Sequence, residues 1–332
     1  MNNQVYVIGS ATWDVLFTTP EAKLMAAVQP KRQGFLAFPY GGKLDAKGVT
    51  YGFGGGAANV SVGLARLGLR PTIVTRLGRD WRGNEVIKNL RRQKVGTNLI
   101  QRDKNETTPL SFVVTTGGPR DHVAFVARGS AKNLKLASKL PGAGGWFYVT
   151  SLAAPDWSRQ LLSLFISAKK NQQSIFWNPG TKQLSDGKAM RRLLPYVTVL
   201  DLNHEEAEFL AHDLKLKDGT TIGLLKALHK AGAKNVLITA GAAGAHFYDG
   251  QQVYYHHSLE VKLMNTTGAG DAFGSGWLAG YIDSGGKVEL AMRWGMLNSS
   301  SVILHIGAQR GLLTLKQLKS FERQYVKALG AC

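Results

Sequence analysis

Asn265-Thr-Thr-Gly-Ala-Gly-Asp-Ala-Phe-Gly-Ser-Gly276 is the stretch on which the reading of this chain turns. Its glycines run directly into a pattern of helical spacing over 271–282, marked by Phe273, Trp277, Leu278 and Tyr281. Glycines placed just before a helix expose the unpaired N–H groups of its first turn. The helix dipole adds to their pull on anions. Asp271 in that first turn has an ordinary explanation as a capping residue. It can also take a proton from a hydroxyl while the amides of Gly268, Ala269 and Gly270 hold the negative charge that grows on a moving phosphoryl group. A carboxylate beside an anion site is otherwise a repulsive arrangement, which favours the chemical reading. The dipole is expected to keep Asp271 ionised at neutral pH.

Working outward, short apolar runs alternate with helical patterns. Gln4–Ile8 reads as a buried strand closed by Gly9, and 58–67 as a helix stopped at Gly68. A strand at 71–74 precedes a helix over Trp81–Arg92. Later strands are expected at 146–150, Ser174–Trp177, 197–200 and Asn235–Thr239, with helices between them at 158–169, 204–212 and 220–230. Leu315–Leu329 looks like a closing amphipathic helix. Strands separated by helices of this length mean βαβ units and a mainly parallel sheet covered on both faces. Two segments break the rhythm. Residues 15–56 lose helical periodicity to Gly, Pro and short β-like runs, and 108–128 holds two strand-like runs, Leu110–Thr115 and 123–126, around hairpin chemistry at 117–121. The simplest arrangement is one α/β domain over 1–332 with a small sheet, or lid, built by about 15–56 and 108–128.

Composition supports a packed protein. Of 332 residues 44% are hydrophobic and 19% charged, enough apolar matter for a large core. The 39 glycines cluster instead of spreading as linkers, which points to backbone in close approach. A single cysteine, Cys332, leaves no intrachain disulfide. The N-terminus lacks a basic, then apolar, leader, and no run reaches the ~18 apolar residues of a membrane span. The expectation is a soluble, cytoplasmic protein without a membrane partner. Forty-one Lys and Arg against 22 Asp and Glu give +19, a surface that attracts nucleotides, sugar phosphates or nucleic acid. The densest basic stretch, 70–104, carries Trp81 alone among aromatics, too few to stack bases. It reads as a solvated helix face dispensable for chemistry.

Several chemistries are set aside. No Walker string G-x-x-x-x-G-K-[ST] occurs. Gly52-Phe-Gly54 imitates a dinucleotide fingerprint but does not follow the first strand, and no acidic ribose partner is placed after it. His256 and His257 adjoin in a β-like run, where successive side chains point to opposite faces. His204 and His212 are not at i, i+4, so no zinc site is expected.

With Gly54-Gly-Gly-Ala-Ala-Asn-Val-Ser-Val-Gly-Leu-Ala-Arg-Leu-Gly68 as a first motif and 265–276 as a second, the chain resembles the ribokinase-like (PfkB) carbohydrate and nucleoside kinases. The resemblance implies a ribokinase-like three-layer α/β/α fold with a mainly parallel central sheet and a small β-sheet lid. It implies an ATP-dependent phosphotransferase acting on a primary hydroxyl of a sugar or nucleoside with Mg²⁺. Asp271 then matches the general base, and Gly268, Ala269 and Gly270 the anion hole. Asp14, Gly55, Gly56 and Asn59 match substrate-side positions. Asp14 could equally be a turn residue, and Asn59 a helix cap. Asn203 and Glu206 resemble an N-x-x-E motif tied to Mg²⁺ and phosphate, with Glu206 reaching the metal through water. Thr239, Gly241 and Gly244 resemble a nucleotide-side T-x-G-x-x-G, Asn298 and Gly307 an adenine-side segment, and Asn178 a residue facing the cleft. A homodimer through the lid stays open. Asn265 stands where the motif usually has Asp, which weakens the case for a monovalent cation. The alternative is a nucleic-acid-binding protein on a kinase-like scaffold without turnover.

Overall fold

A computed structural model describes residues 3–25, 35–116, 122–137, 145–216, 219–261 and 264–329; the hairpin turn expected at 117–121 and Cys332 lie outside them. In chain order the first strands are β1 (Gln4–Ile8), β2 (Thr12–Thr18), β3 (Lys23–Met25), β4 (Phe35–Ala37), β5 (Gly48–Gly54), β6 (Arg70–Val74), β7 (Arg76–Gly78) and β8 (Gln101–Asp103). They are followed by β9 (Leu110–Thr115), β10 (His122–Ala127), β11 (Trp146–Val149), β12 (Ser174–Trp177), β13 (Val199–Asn203), β14 (Asn235–Thr239), β15 (Ala245–Tyr248) and β16 (Val253–His256). The helices are α1 (Gly56–Arg66), α2 (Trp81–Arg92), α3 (Trp157–Lys170), α4 (Thr181–Leu184) and α5 (Gly187–Leu193). After these come α6 (His204–Asp213), α7 (Thr221–Lys230), α8 (Ala269–Asp283), α9 (Val288–Val302) and α10 (Leu315–Leu329).

The central sheet has eight strands in the order β6-β1-β11-β12-β13-β14-β15-β16. It is parallel from β6 to β14 and closes with the antiparallel pairs β14–β15 and β15–β16. β11 is buried at every residue, as a strand covered on both faces must be. Alternation divides the core in two. Val5, Val7, Tyr148 and Phe176 face α1, α8 and α9, where they meet Trp277 and Trp294. Tyr6, Ile8, Phe147 and Trp177 face α3, α5, α6 and α7 on the other side. α8 is buried from Ala272 to Gly280 because α1 and α9 pack against it. Its glycines serve that packing: a Cβ on Gly276 would come 2.6 Å from the Trp294 carbonyl.

A separate four-stranded sheet runs β10-β9-β2-β5. β2 pairs antiparallel with β5 and parallel with β9, so strands from both irregular segments meet in it. Trp13 of β2 anchors it on Trp81 of α2, their rings 5.0 Å apart at 74°. Three details differ from the sequence reading. The strand expected at 197–200 spans Val199–Asn203, because Val197 closes the preceding turn by donating to the Leu194 carbonyl while Asp201 to Asn203 pair with Leu237 to Thr239. The last strands, β15 and β16, and the long α9 had no clear periodic signal, and α9 buries residues on several sides. His257 lies beyond β16, and its ring stacks on His256 at 5.1 Å instead of pointing away. No helix among the described residues is long and apolar enough to cross a membrane.

The connection after β1 goes to β6 on one side, and the later return enters β11 on the other. Between them lies the point where strand order reverses, and open α/β sheets take their ligands there, outside the carboxyl ends of the strands.

Candidate active site

Two hollows open at that edge. The first, about 190 Å³, is lined by Asn178 after β12, Asp201 and Asn203 of β13, Glu206 of α6, Thr239 at the end of β14, and Gly268, Gly270 and Asp271 at the start of α8. The second, about 280 Å³, lies against the small sheet and includes Asp14, Gly52, Phe53, Asn89, Arg92, Gly307, Gln309 and Arg310.

The start of α8 is shaped by its sequence. Gly268 is the N-cap in the left-handed region at φ 82°, and a Cβ there would sit 2.6 Å from Ala308 Cβ. Ala269 N–H donates to the Thr266 carbonyl at 3.2 Å, so its amide is engaged within the turn. Of the expected Gly268–Ala269–Gly270 trio, the Ala269 amide is thus already taken. The amides of Gly270 and Asp271, in the helix's first turn, lack intrahelical acceptors. Gly270 is exposed, and a Cβ on it would meet nothing within 4 Å. Asn265 accepts the Thr267 N–H at 2.7 Å, closing the loop ahead of the helix with the oxygen that a cation would need.

Asp271 is partly buried, and its carboxyl is pushed up to about 6. Loss of hydration is the main cause, the Glu206 charge adds to it, and the hydrogen bond from Asn59 opposes it. The expectation that the dipole sets its ionisation is therefore corrected: burial outweighs it, although the ionised form still prevails at neutral pH. Asn59, 4% exposed, is no cap, because Gly55 holds that position in α1. Instead its Nδ2 donates to Asp271 Oδ2 at 2.8 Å. Its Oδ1 accepts from Gln309 Nε2 at 3.0 Å, Gln309 Oε1 accepts from Asn89 Nδ2 at 3.2 Å, and Asn89 Oδ1 accepts from Arg92 Nη2 at 2.9 Å. A guanidinium can only donate, so the orientation of each amide along this chain is set from Arg92 inward, ending on the carboxylate. Asp271 lines one hollow and Gln309 the other, so the chain joins them. The basic stretch is not uniformly remote, as expected from sequence, since Arg92 belongs to it. Its neighbours behave differently: Arg76 pairs with Asp103 at 2.8 Å, Arg82 with Asp80 at 3.6 Å, and Arg102 donates to Asn84 at 2.9 Å.

Asn203 and Glu206 form a capping box. Asn203 Oδ1 accepts from Glu206 N–H at 2.8 Å and Glu206 Oε2 from Asn203 N–H at 3.0 Å, which leaves Glu206 Oε1 outside the box on a residue that lines the hollow. Burial raises the Glu206 carboxyl. Asp201, 3% exposed, was missed; a carboxylate inside the apolar run of β13 was the available signal. Asn178 Nδ2 donates to its carbonyl at 3.0 Å and its Oδ2 at 3.4 Å. Burial, then the Glu206 and Asp271 charges, hold its carboxyl well above the usual range.

Asp14 is buried on β2, not in a turn, with Thr12 Oγ1 donating to its Oδ1 at 2.7 Å. Gly54 makes room for it, since a Cβ there would fall 2.0 Å from Asp14 Oδ2. Gly55 and Gly56 line neither hollow. Gly55, at φ 87°, packs on the Ser10 carbonyl, and Gly56 packs on Thr150. Thr239 reaches the first hollow, whereas Gly241 sits on an exposed turn and Gly244, at φ 86°, packs on the His256 carbonyl. Asn298 lines neither hollow: it is fully buried, donates to the Ala272 carbonyl at 2.8 Å and accepts the Leu313 N–H at 3.0 Å, so it ties α9 to α8 and to the loop beyond. Gly307 lines the Asp14 hollow and not the one holding Thr239, which also departs from the adenine-side expectation.

A family model described as pfkB family carbohydrate kinase matches residues 21–315. The fructokinase of Klebsiella pneumoniae is 29% identical over 251 residues, covering 72% of this chain and 80% of its own. The ribokinase of Mus musculus is 29% identical over 242 residues, 70% of this chain and 71% of its own. The solved ribokinase of Arabidopsis thaliana complexed with ribose and ATP aligns with a TM-score of 0.75 at 19% identity, covering 96% of this chain and 98% of that one.

Proposed function

The chain belongs to the pfkB family of carbohydrate kinases, and from that premise we propose that it transfers the γ-phosphoryl group of ATP to a primary hydroxyl of a sugar or nucleoside. One observation carries the proposal: Asp271 stands in the first turn of α8 and lines the first hollow, and its Oδ2 is held by Asn59, which in turn holds Gln309 of the second. The triphosphate suits the hollow with the helix N-terminus, where Gly270 and Asp271 amides meet negative charge. The acceptor suits the hollow beside the small sheet, where Asp14 can take hydroxyl hydrogen bonds.

Asp271 Oδ2 is committed to Asn59, which leaves the other carboxylate oxygen to accept the hydroxyl proton. As the acceptor oxygen bonds to the γ-phosphorus, the bond to ADP breaks, and the first-turn amides stabilise the charge on the transferring group. The small sheet, acting as a lid, excludes water that would otherwise hydrolyse ATP. The donor set also fits Mg²⁺. The Glu206 charge raises the Asp201 and Asp271 carboxyls and the Asp271 charge raises that of Asp201, a repulsion that a cation relieves, and among the described residues no three ligands are grouped to cage a metal. Mg²⁺ usually keeps several waters and takes one or two carboxylates plus phosphates, a role that Glu206 Oε1 can fill through water. When bound it neutralises phosphate charge. The test is ADP release across sugars and nucleosides. Asp271→Asn keeps shape and capping ability but cannot take the proton, so turnover should fall by ~10²–10⁴ with the circular dichroism unchanged. Near wild-type turnover in that variant would make Asp271 only a cap.

A further inference from the structure

We propose that the acceptor of this kinase is anionic, a monosaccharide carrying a phosphate or carboxylate group that Arg92 and Arg310 read in the hollow beside the small sheet. The inference rests on the kinase reading and narrows its substrate class.

The hollow is lined by one carboxylate, Asp14, and three guanidiniums, Arg66, Arg92 and Arg310. Asp14 and Thr12 hold each other through a hydrogen bond of 2.7 Å, so Asp14 neutralises none of the arginines by contact. Arg66 is structural. Its Nε donates to Gln93 Oε1 at 3.0 Å, and its Nη1 to the carbonyls of Gln309 and Leu312 at 3.0 and 2.7 Å, fastening the loop after α9. Arg92 and Arg310 differ. Neither has a carboxylate partner among the described residues, and both line the hollow while remaining exposed. Arg92 commits Nη2 to Asn89, which steadies the guanidinium while its remaining N–H groups stay available. A guanidinium held by one edge with its other donors open is suited to bidentate recognition of phosphate or carboxylate.

Helix position alone does not explain this. Cations are favoured in a helix's last turn, and both Arg91 and Arg92 occupy that turn of α2. Yet Arg91 turns to Thr97 Oγ1 at 3.2 Å, away from the hollow, while Arg92 lines it. Hydroxyl groups of a neutral sugar would be served by Asp14, Asn89 and Gln309 without two arginines. The volume, about 280 Å³, lies below the ~300–1,000 Å³ of drug-sized ligand sites and suits a single sugar ring with its anionic group.

The experiment compares fructose 6-phosphate with fructose, and 2-dehydro-3-deoxygluconate with ribose and adenosine, by ADP release, alongside calorimetric titration of the same compounds. The phosphate and carboxylate arms separate the two anion types. One anionic acceptor should exceed the neutral compounds at least ~10-fold in kcat/KM. Arg92→Gln and Arg310→Gln should each cut that ratio ~10-fold or more through KM, Arg92→Lys should cut it less, and Arg91→Gln should leave it alone. A neutral sugar or nucleoside as the best acceptor, or a ratio unmoved by both arginine variants, overturns the proposal and leaves the kinase standing. If no compound releases ADP, the kinase reading fails and the titration decides this one. Arginine-dependent binding of an anionic compound upholds it, and no such binding overturns it.

Discussion

Asp271 sits between two opposed neighbours: Glu206 raises its carboxyl pKa and the Asn59 amide lowers it, around a value of about 6 set mainly by burial. A base must be deprotonated to work, so kcat/KM should fall as pH drops through about 6. Glu206→Gln removes a cause that raises the pKa and should move the acid limb to lower pH. Asn59→Ala removes one that lowers it and should move the limb to higher pH. A pH–rate profile flat to ~4.5, near the ordinary carboxylate range, would separate turnover from Asp271. Asn265 is informative at the same scale. Its side-chain oxygen already accepts from Thr267 N–H and carries no formal charge. Replacing K⁺ by a bulky organic cation at constant ionic strength is therefore expected to leave turnover within about twofold. A large loss reversed by K⁺ alone would show that backbone oxygens suffice for a cation site.

At the scale of elements, one polar side chain holds two helices. Asn298 of α9 satisfies the Ala272 carbonyl in α8 and the Leu313 amide beyond α9, all in a dry environment. Asn298→Ala leaves the Leu313 amide unpaired, at about 1–3 kcal/mol for an unsatisfied buried group, while the Ala272 carbonyl keeps Ser275 Oγ at 3.1 Å. Urea unfolding should show a midpoint loss of that order, while the KM for ATP in the folded fraction stays near wild type. A raised KM without lost stability would return Asn298 to the nucleotide. The N-x-x-E motif shows another economy of design. Asn203 and Glu206 complete a capping box that starts α6, and both residues also line the first hollow. A local folding signal and a site residue are thus the same two letters.

Across the whole molecule, some basic side chains are neutralised locally, in pairs such as Arg76–Asp103 and Lys132–Glu106 at 2.7 Å, and the excess of basic over acidic residues leaves a net +19. What remains attracts anionic ligands over a distance that salt shortens to ~10 Å at 0.1 M. Raising ionic strength from about 0.05 to about 0.3 M should raise the KM for ATP several-fold and change kcat much less. An unchanged KM would confine recognition to short-range contacts. The nucleic-acid alternative finds no support at this scale. Trp81 is the one aromatic of the basic stretch, too few to stack successive bases, and several of the stretch's arginines already have partners.

The alternation of buried strands with helices was legible because period and punctuation are local: Gln4–Ile8, Trp81–Arg92, Ser174–Trp177, Asn235–Thr239 and Leu315–Leu329 stand where the letters place them. Asp271 and its glycine lead-in were legible for the same reason, since a helix's first turn makes its own anion site. Gly55, Gly56 and Gly244 were not, because the contacts that forbid a side chain come from Ser10, Thr150 and His256, distant in sequence. Nor could the letters distinguish Asn59, which reaches Asp271, from Asn298, which ties the backbone of α8 to the loop after α9. Gln309, Asn89 and Arg92 carried no motif at all. Their hydrogen bonds to one another exist because α1, α2 and the loop after α9 meet there, and only the packing of those elements brings the side chains within reach.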